Sequence, residues 1–420
     1  MPLQDANPDQ CNSSGELWIG QLSSQERAAF VATFAGWTLD GMDVMVYSLV
    51  LPTLIAEWHI TKGQAGLLST AALLISSLGG WLAGILADRY GRVRLLKLTV
   101  LWFSVFTFLS GFTQNFHQLL LTRSLQGLGF GGEWAVGAAL ISETIRARYR
   151  GRAVGTVQSG WSIGWGVSAL VFMVVFTYLP DGIAWRVMFW IGILPALLIV
   201  YIRGKVKEPE LYRARVHTPR SSFLQIFSPQ LLRTTVFAAL MALGAQGGYH
   251  AVTTWLPLYL TTSRGLTTLN SATYLVVVIG GAFFGYITAA HLTDSIGRKS
   301  TLILFAGCSF VIVIVYTTLP ISNHLMLVLG FPLGFFSSGS FSPMGAFFSE
   351  LFPTKVRASG SAFAYNFGRG AGALFPTLVG FVSEHITLGT TIAIFSSGAY
   401  FLMFLGAVLL PETRGKQLEE

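Results

Sequence analysis

Apolar runs of about twenty residues recur along the chain, separated by short polar stretches rich in Arg, Lys, Gly and Pro. They lie near 28–55, 63–87, 95–113, 117–144, 152–179, 187–203, 233–261, 268–291, 300–319, 323–351, 358–382 and 386–410. A helix rises 1.5 Å per residue, so about twenty apolar residues cross the roughly 30 Å hydrocarbon layer of a bilayer. Lipid cannot hydrogen-bond an exposed backbone, and a barrel would instead show alternating segments of about ten residues. The pattern predicts an all-α integral membrane protein of twelve transmembrane helices.

The polar stretches orient those helices. With both ends on the cytoplasmic side, that side holds Arg27, Arg89, Arg92, Arg94, Lys97, Arg146, Arg148, Arg150, Arg152, Arg298, Lys299, Lys355, Arg357, Arg414 and Lys416. The other side then holds little beyond Lys62, Arg186 and Arg264, which is the asymmetry that membrane insertion imposes. The compact loops point to a bacterial inner membrane.

Two halves are expected. Ala87-Asp88-Arg89-Tyr90-Gly91-Arg92 after the second run is echoed by Thr293-Asp294-Ser295-Ile296-Gly297-Arg298 after the eighth. Glu143 followed by Arg150 is echoed by Glu350 followed by Arg357, again at nearly half the chain length. Parallel six-helix repeats build one large class of transporters. The division is a tail at 1–26, six helices within 27–203, a linker at 204–232, six helices within 233–411 and a tail at 412–420. The linker carries Lys205, Lys207, Arg213, Arg215 and Arg220 with Pro209 and Pro219.

Composition sharpens the picture. Apolar and aromatic residues make up 52% of the 420, charged residues only 11%, and mean hydropathy is +0.60, whereas a soluble chain is about a quarter charged. The net charge of +8 sits in loops between apolar runs, so it reads as insertion signal and not as a nucleic-acid surface. A polar stretch with Asp5, Asp9 and Glu16 precedes the first run, unlike a cleaved signal peptide. Cys11 and Cys308 form no disulfide framework and no metal spacing. No phosphate-binding Gly-Lys-Thr loop, zinc spacing or ATPase-sized soluble region is present, so an enzyme, a cofactor and a metal are not expected.

Particular motifs resemble the major facilitator superfamily. Gly84-Ile85-Leu86-Ala87-Asp88-Arg89-Tyr90-Gly91-Arg92 is similar to its loop 2–3 signature. Arg123-Ser124-Leu125-Gln126-Gly127-Leu128-Gly129-Phe130-Gly131-Gly132-Glu133 resembles its fourth-helix signature, and Pro411-Glu412-Thr413-Arg414-Gly415 the end of its last helix. Asp40-Gly41-Met42-Asp43, Gly131-Gly132-Glu133-Trp134 and Tyr365-Asn366-Phe367-Gly368-Arg369-Gly370 resemble a narrower grouping, the metabolite:proton symporters for aromatic acids, sialic acid and short monocarboxylates. The resemblance implies secondary active transport of a small organic anion with protons, and no nucleic acid or obligate protein partner.

Ionisable side chains near mid-bilayer are costly and tend to be paired or functional. Asp40 and Asp43 stand three residues apart on the first helix, where two close carboxylates cannot both ionise cheaply. Either they couple protons or they make structural bonds. Arg123 lies at a depth to meet Asp43 if the first and fourth helices touch; the resemblance implies that contact, and protonation of the aspartate would release it. Glu133 is a second proton site or a packing element. Arg369 has no carboxylate near it in sequence and is a ready receptor for a substrate carboxylate, the alternative being bonds to helix carbonyls.

His250 falls 207 positions after Asp43, the equivalent place in the second half. Gln158, Trp161, Trp165, Tyr365 and Asn366, together with Trp134 and Tyr249, are further candidates for the cavity wall. Trp161 and Trp165, one turn apart, would form a stacking wall for a ring. Asp88, Arg89, Arg92, Asp294 and Arg298 are gate candidates, with Asp88 expected to pair with Arg150 or Arg152. Rival readings are a neutral-sugar symporter or drug:proton exporter of the same fold, and a receptor that binds a metabolite without moving it.

Overall fold

A computed structural model of the chain describes residues 18–208, 223–353 and 355–414, less the side chains at 88, 142, 147, 148, 150–152 and 358. Cys11, residues 209–222 of the expected linker and the last six residues lie outside the described residues. So do the side chains of Asp88, Arg150 and Arg152, and with them the expected Asp88 pairing.

The first five spans are single helices: α1 (Ser24–Trp58), α2 (Lys62–Tyr90), α3 (Arg92–Ser110), α4 (Phe116–Thr144) and α5 (Ala147–Tyr178). The sixth is α6 (Asp181–Ile191) and α7 (Leu198–Lys205), joined through a 3-10 turn at Leu194–Leu197. Next come α8 (Pro229–Leu258), α9 (Thr268–Ile296) and α10 (Arg298–Thr318). The tenth span is α11 (Asn323–Gly339) with α12 (Phe341–Leu351), the eleventh α13 (Arg357–Gly372) with α14 (Leu374–Val382), and the twelfth α15 (Leu388–Leu409). The expected twelve spans are all present, and none of the described residues forms a strand.

Local sequence explains where the helices start. Ser23 and Glu26 form a capping box at α1, Thr61 and Gln64 another at α2, and Asn115, Thr267, Ser322 and Thr387 each accept a backbone N–H at later starts. Among the described residues, nine spans are apolar and long enough to cross a membrane. The three that fall short are α4, α8 and the α13–α14 span. These carry Arg123 and Glu133, Gln246 and His250, and Arg369, polar groups within the spans that lower their hydropathy.

Glycine lets backbones approach. A Cβ at Gly79, Gly127 or Gly131 would collide with the carbonyls of Leu128, Ala72 and Ser76, which seams α2 to α4. In the second half Gly285 and Gly334 stand against the Phe335 and Val278 carbonyls and seam α9 to α11 at equivalent positions.

The repeat also holds at the face carrying the chain ends. Gly91 and Gly297 both adopt φ 103°, a left-handed turn that favours glycine. Each turn brings a helix N-terminus against a glutamate from just beyond the last helix of its half. Glu208 accepts the N–H groups of Arg92 and Val93 at 2.9 Å each, and Glu412 those of Arg298 at 3.0 Å and Lys299 at 3.2 Å. Partial burial would raise the Glu412 carboxyl, yet its backbone donors outweigh this and hold it below the usual carboxylate range.

At the opposite face α2 closes against α14. Lys62 Nζ donates to the Ser383 carbonyl at 3.2 Å, and the Gly63 N–H to Glu384 Oε1 at 2.9 Å. One turn or two deeper, Thr377 donates to Thr70 at 2.6 Å and Thr70 to the Ala373 carbonyl. The Gly63 N–H, aided by the Thr61 hydroxyl, holds the Glu384 carboxyl below its usual range. A depressed carboxylate lends its contact above the ordinary carboxylate range and loses it as pH falls through the lowered value. Glu384→Ala is therefore expected to widen the separation of spin labels at positions 64 and 385, in a background with Cys11 and Cys308 replaced by Ser. An unchanged distance distribution would deny Glu384 a part in holding this face shut.

Candidate functional site

Side chains of α1, α2, α4, α5, α8, α9, α12 and α13 line a cavity midway along the spans. Its wall is aromatic. Trp37 packs on Trp134 with ring centroids 4.2 Å apart and on Trp161 at 5.0 Å, and the Trp161 indole donates to the Tyr249 hydroxyl at 2.7 Å. Tyr249 meets Phe341 edge to face at 5.3 Å, and Tyr286 and Tyr365 complete the wall. The Trp161 to Tyr249 bond joins the first six spans to the last six at the cavity itself.

Arg369 enters this wall with its guanidinium 5.2 Å from the ring centroids of both Phe130 and Tyr365. Two aromatic faces hold the planar group by cation–π attraction and leave its edge donors free. The side chain is 3% exposed. Among the described residues nothing accepts a hydrogen bond from it, so the alternative of bonds to helix carbonyls does not occur.

Asp40 and Glu133 lie beside it. Both are fully buried, their carboxyls stand within hydrogen-bonding reach of each other, and Arg369 is the nearest cation. Neither has a donor partner among the described residues. Two ionised carboxyls offer only acceptors, so the contact becomes a hydrogen bond when one of them carries a proton. Glu133 Oε1 fills the space where residue 36 would carry a Cβ, and Gly36 leaves that room.

Asp43 belongs to a different cluster. The Gln126 amide donates to Asp43 Oδ2, and the Arg123 guanidinium lies over the Tyr47 ring at 5.0 Å. Arg123 attracts Asp43 electrostatically, but no hydrogen bond joins them, and Nε and Nη1 of Arg123 have no acceptor among the described residues. The expected Asp43–Arg123 pair is thus corrected to two neighbours, with Gln126 on the carboxylate.

The remaining expectations divide. Gln158, Trp161, His250 and Tyr365 line the cavity. Trp165 does not; on the same face of α5 but about 6 Å farther along its axis, it is buried in the apolar core beyond the cavity, and the expected stacking partner of Trp161 is Trp37 instead. Asn366 also lies off the cavity, bonding the Ala362 carbonyl and packing against Gly80 between α13 and α2. Of the gate candidates, Arg92 grips Glu143 with two bonds of 3.0 and 3.2 Å, and Arg298 pairs with Glu350 at 3.2 Å and Asp294 at 3.4 Å. These pairs tie neighbouring helices within one half. Arg89 is exposed, over Tyr90.

Sequence reasoning missed Trp37, Phe130, Gln246, Tyr286, Phe341 and Gln126. Gln126 and Gln246 carried a signal, standing three residues after Arg123 and four before His250 on one helix face each.

Comparison with known proteins agrees with this architecture. Residues 33–376 match the Major Facilitator Superfamily. A protein of Cupriavidus pinatubonensis named "Probable 4-methylmuconolactone transporter" is 43% identical over 404 residues, 96% of this chain and 94% of its own length. The "Cis,cis-muconate transport protein" of Acinetobacter baylyi is 30% identical over 387 residues, 90% of this chain and 92% of its own. Among solved structures, a bacterial homolog of the human lysosomal transporter Spinster, inward-facing and occupied, superposes with a TM-score of 0.66 at 17% identity, covering 93% of this chain and 95% of its own; it bears on the fold alone. With twelve spans in two echoing halves around a central aromatic cavity that holds Arg369, and a match across most of its length, the chain belongs to the Major Facilitator Superfamily, and is a membrane transporter rather than an enzyme.

Proposed function

We propose that the protein is a proton-coupled importer of a small, flat organic acid anion. The observation that carries the reading is the Arg369 guanidinium, sandwiched by Phe130 and Tyr365 and bonded to no described residue, facing an aromatic cavity. Such a fork grips a carboxylate with two hydrogen bonds, and the indoles of Trp37 and Trp161 offer faces for a conjugated or ring body. Relatives named for muconate and a muconolactone, both small unsaturated acids, favour the same class. A neutral sugar would leave Arg369 without a counter-charge.

Protons enter through Asp40 and Glu133. While Arg369 is empty it compensates their charge; a carboxylate arriving on Arg369 competes for that cation and favours a proton on the pair. With Arg369 neutralised by substrate and the pair by protons, the loaded chamber carries less unpaired charge, which lets residues 27–203 and 233–411 rock about it. Both ends face the cytoplasm of a bacterial inner membrane in this reading, so the α2 to α14 contacts close the outer side. The Arg92–Glu143 and Arg298–Glu350 pairs brace the inner ends of the two bundles.

Proteoliposomes loaded at neutral pH and diluted into acidic buffer with labelled benzoate, lactate, sialate or glucose test this. Accumulation of an acid that a protonophore abolishes is expected. Uptake indifferent to the protonophore ends the coupling, and preference for glucose ends the anion reading.

A further inference from the structure

A second, smaller space adjoins the first on the side of the α2 to α14 closure. The two share Leu73, Phe130 and His250 in their linings, so Phe130 and His250 form a partition between them. Val44, Met45, Ala72 and Leu73, with Phe130, give this outer space a largely apolar wall, and a polar patch is set into it. The hydroxyls of Ser48, Ser69, Thr253 and Thr254 line it with His250 and Arg123, and Ser69 and Thr254 meet at 3.4 Å across the two halves. Arg123 is 2% exposed, and its Nε and Nη1 have no acceptor among the described residues. A buried guanidinium with two unbonded donors, beside hydroxyls in an otherwise apolar space, lacks one component, an acceptor group from outside the chain.

We infer that this outer space is a second anion subsite, built around Arg123, which takes the far carboxylate of a two-headed acid whose near carboxylate sits on Arg369. The inference rests on the anion reading of Arg369. Arg123 and Phe130 stand seven residues apart on α4, two turns or roughly 10 Å along the axis, and Arg369 lies against the Phe130 ring. Arg123 therefore lines the outer space and Arg369 the inner one, with Phe130 bordering both. A one-headed acid satisfies one of them and an extended two-headed acid both, with its conjugated body passing Phe130 and His250. Asp43 does not close the outer subsite, because Gln126 holds one of its oxygens and none of its atoms bonds Arg123. A proton on Asp43 removes the competing charge and leaves the guanidinium to the ligand.

The test uses the full chain in nanodiscs with trans,trans-muconate and sorbate, two dienoates of one carbon skeleton that differ by a carboxylate. Calorimetric titration is expected to find muconate bound about tenfold tighter or more, the order of one added charge-assisted hydrogen bond. Arg123→Gln should bring muconate down to the sorbate level while sorbate changes less than about twofold. The Ser69→Ala, Thr254→Val double variant, which leaves every charge in place, should narrow the gap in the same direction should Arg123→Gln fail to fold. Equal binding of the two acids by the unaltered chain, or equal weakening of both by either variant, overturns the outer subsite. Arg369→Gln separates the two ideas: sorbate binding that survives it sinks the reading of the inner site, whatever happens at Arg123.

Discussion

Arg369→Ala is expected to weaken the apparent affinity for a labelled carboxylate about a hundredfold, a cost of about 3 kcal/mol for removing one partner of a desolvated charge pair. The folded yield should hold, since the side chain donates to no described residue and its contacts are two aromatic faces. Arg369→Lys keeps the charge and loses the fork, so it should recover only part of the affinity. Initial uptake rates against substrate concentration, at fixed pH on both sides, give the comparison. Unchanged apparent affinity in the alanine variant would remove the argument for an anion.

The second large effect concerns folding. Gly131→Val places a side chain into the Ser76 carbonyl on the neighbouring helix, at the tightest point of the α2 to α4 seam. Neither backbone can step aside, because Gly79 and Gly127 hold the same seam above and below. Overpacking at such a site costs about 3 kcal/mol or more, and the expected result is loss of the monodisperse peak in size-exclusion chromatography. Gly84→Ala and Gly155→Ala are the controls: a Cβ there meets nothing within 4 Å. Those variants should keep the thermal midpoint or raise it slightly, since alanine favours helix over glycine by about 1 kcal/mol. A well-behaved Gly131→Val protein would mean that the helices are farther apart than described.

The twelve spans were legible because bilayer thickness and backbone hydrogen bonding leave the chain little choice. Breaks within spans were not. The sixth, tenth and eleventh spans each divide, near Gly192, Ser340 and Ala373, over only a few residues, too short a stretch to interrupt a pattern averaged over about twenty. Side-chain partners were the harder part. Three residues on a helix turn through about 300°, so Asp40 and Asp43 sit about 60° apart around α1. That angle suffices to send one toward Glu133 on α4 and the other toward Gln126, a helical turn or two along the same neighbour. Trp161 and Trp165 show the same limit, since spacing on one helix places two rings but not the surface they face. Trp37 and Phe341, as ordinary aromatics in apolar runs, were indistinguishable from packing residues until helices from both halves met around them.

The glutamates at 208 and 412 have a mechanical consequence. Each fastens the trailing end of a six-helix set to the start of its third helix, through a glycine turn that only its own half supplies. The set is buckled before the chain leaves it, so force arriving along the chain from outside meets a fastened end instead of unravelling a helix.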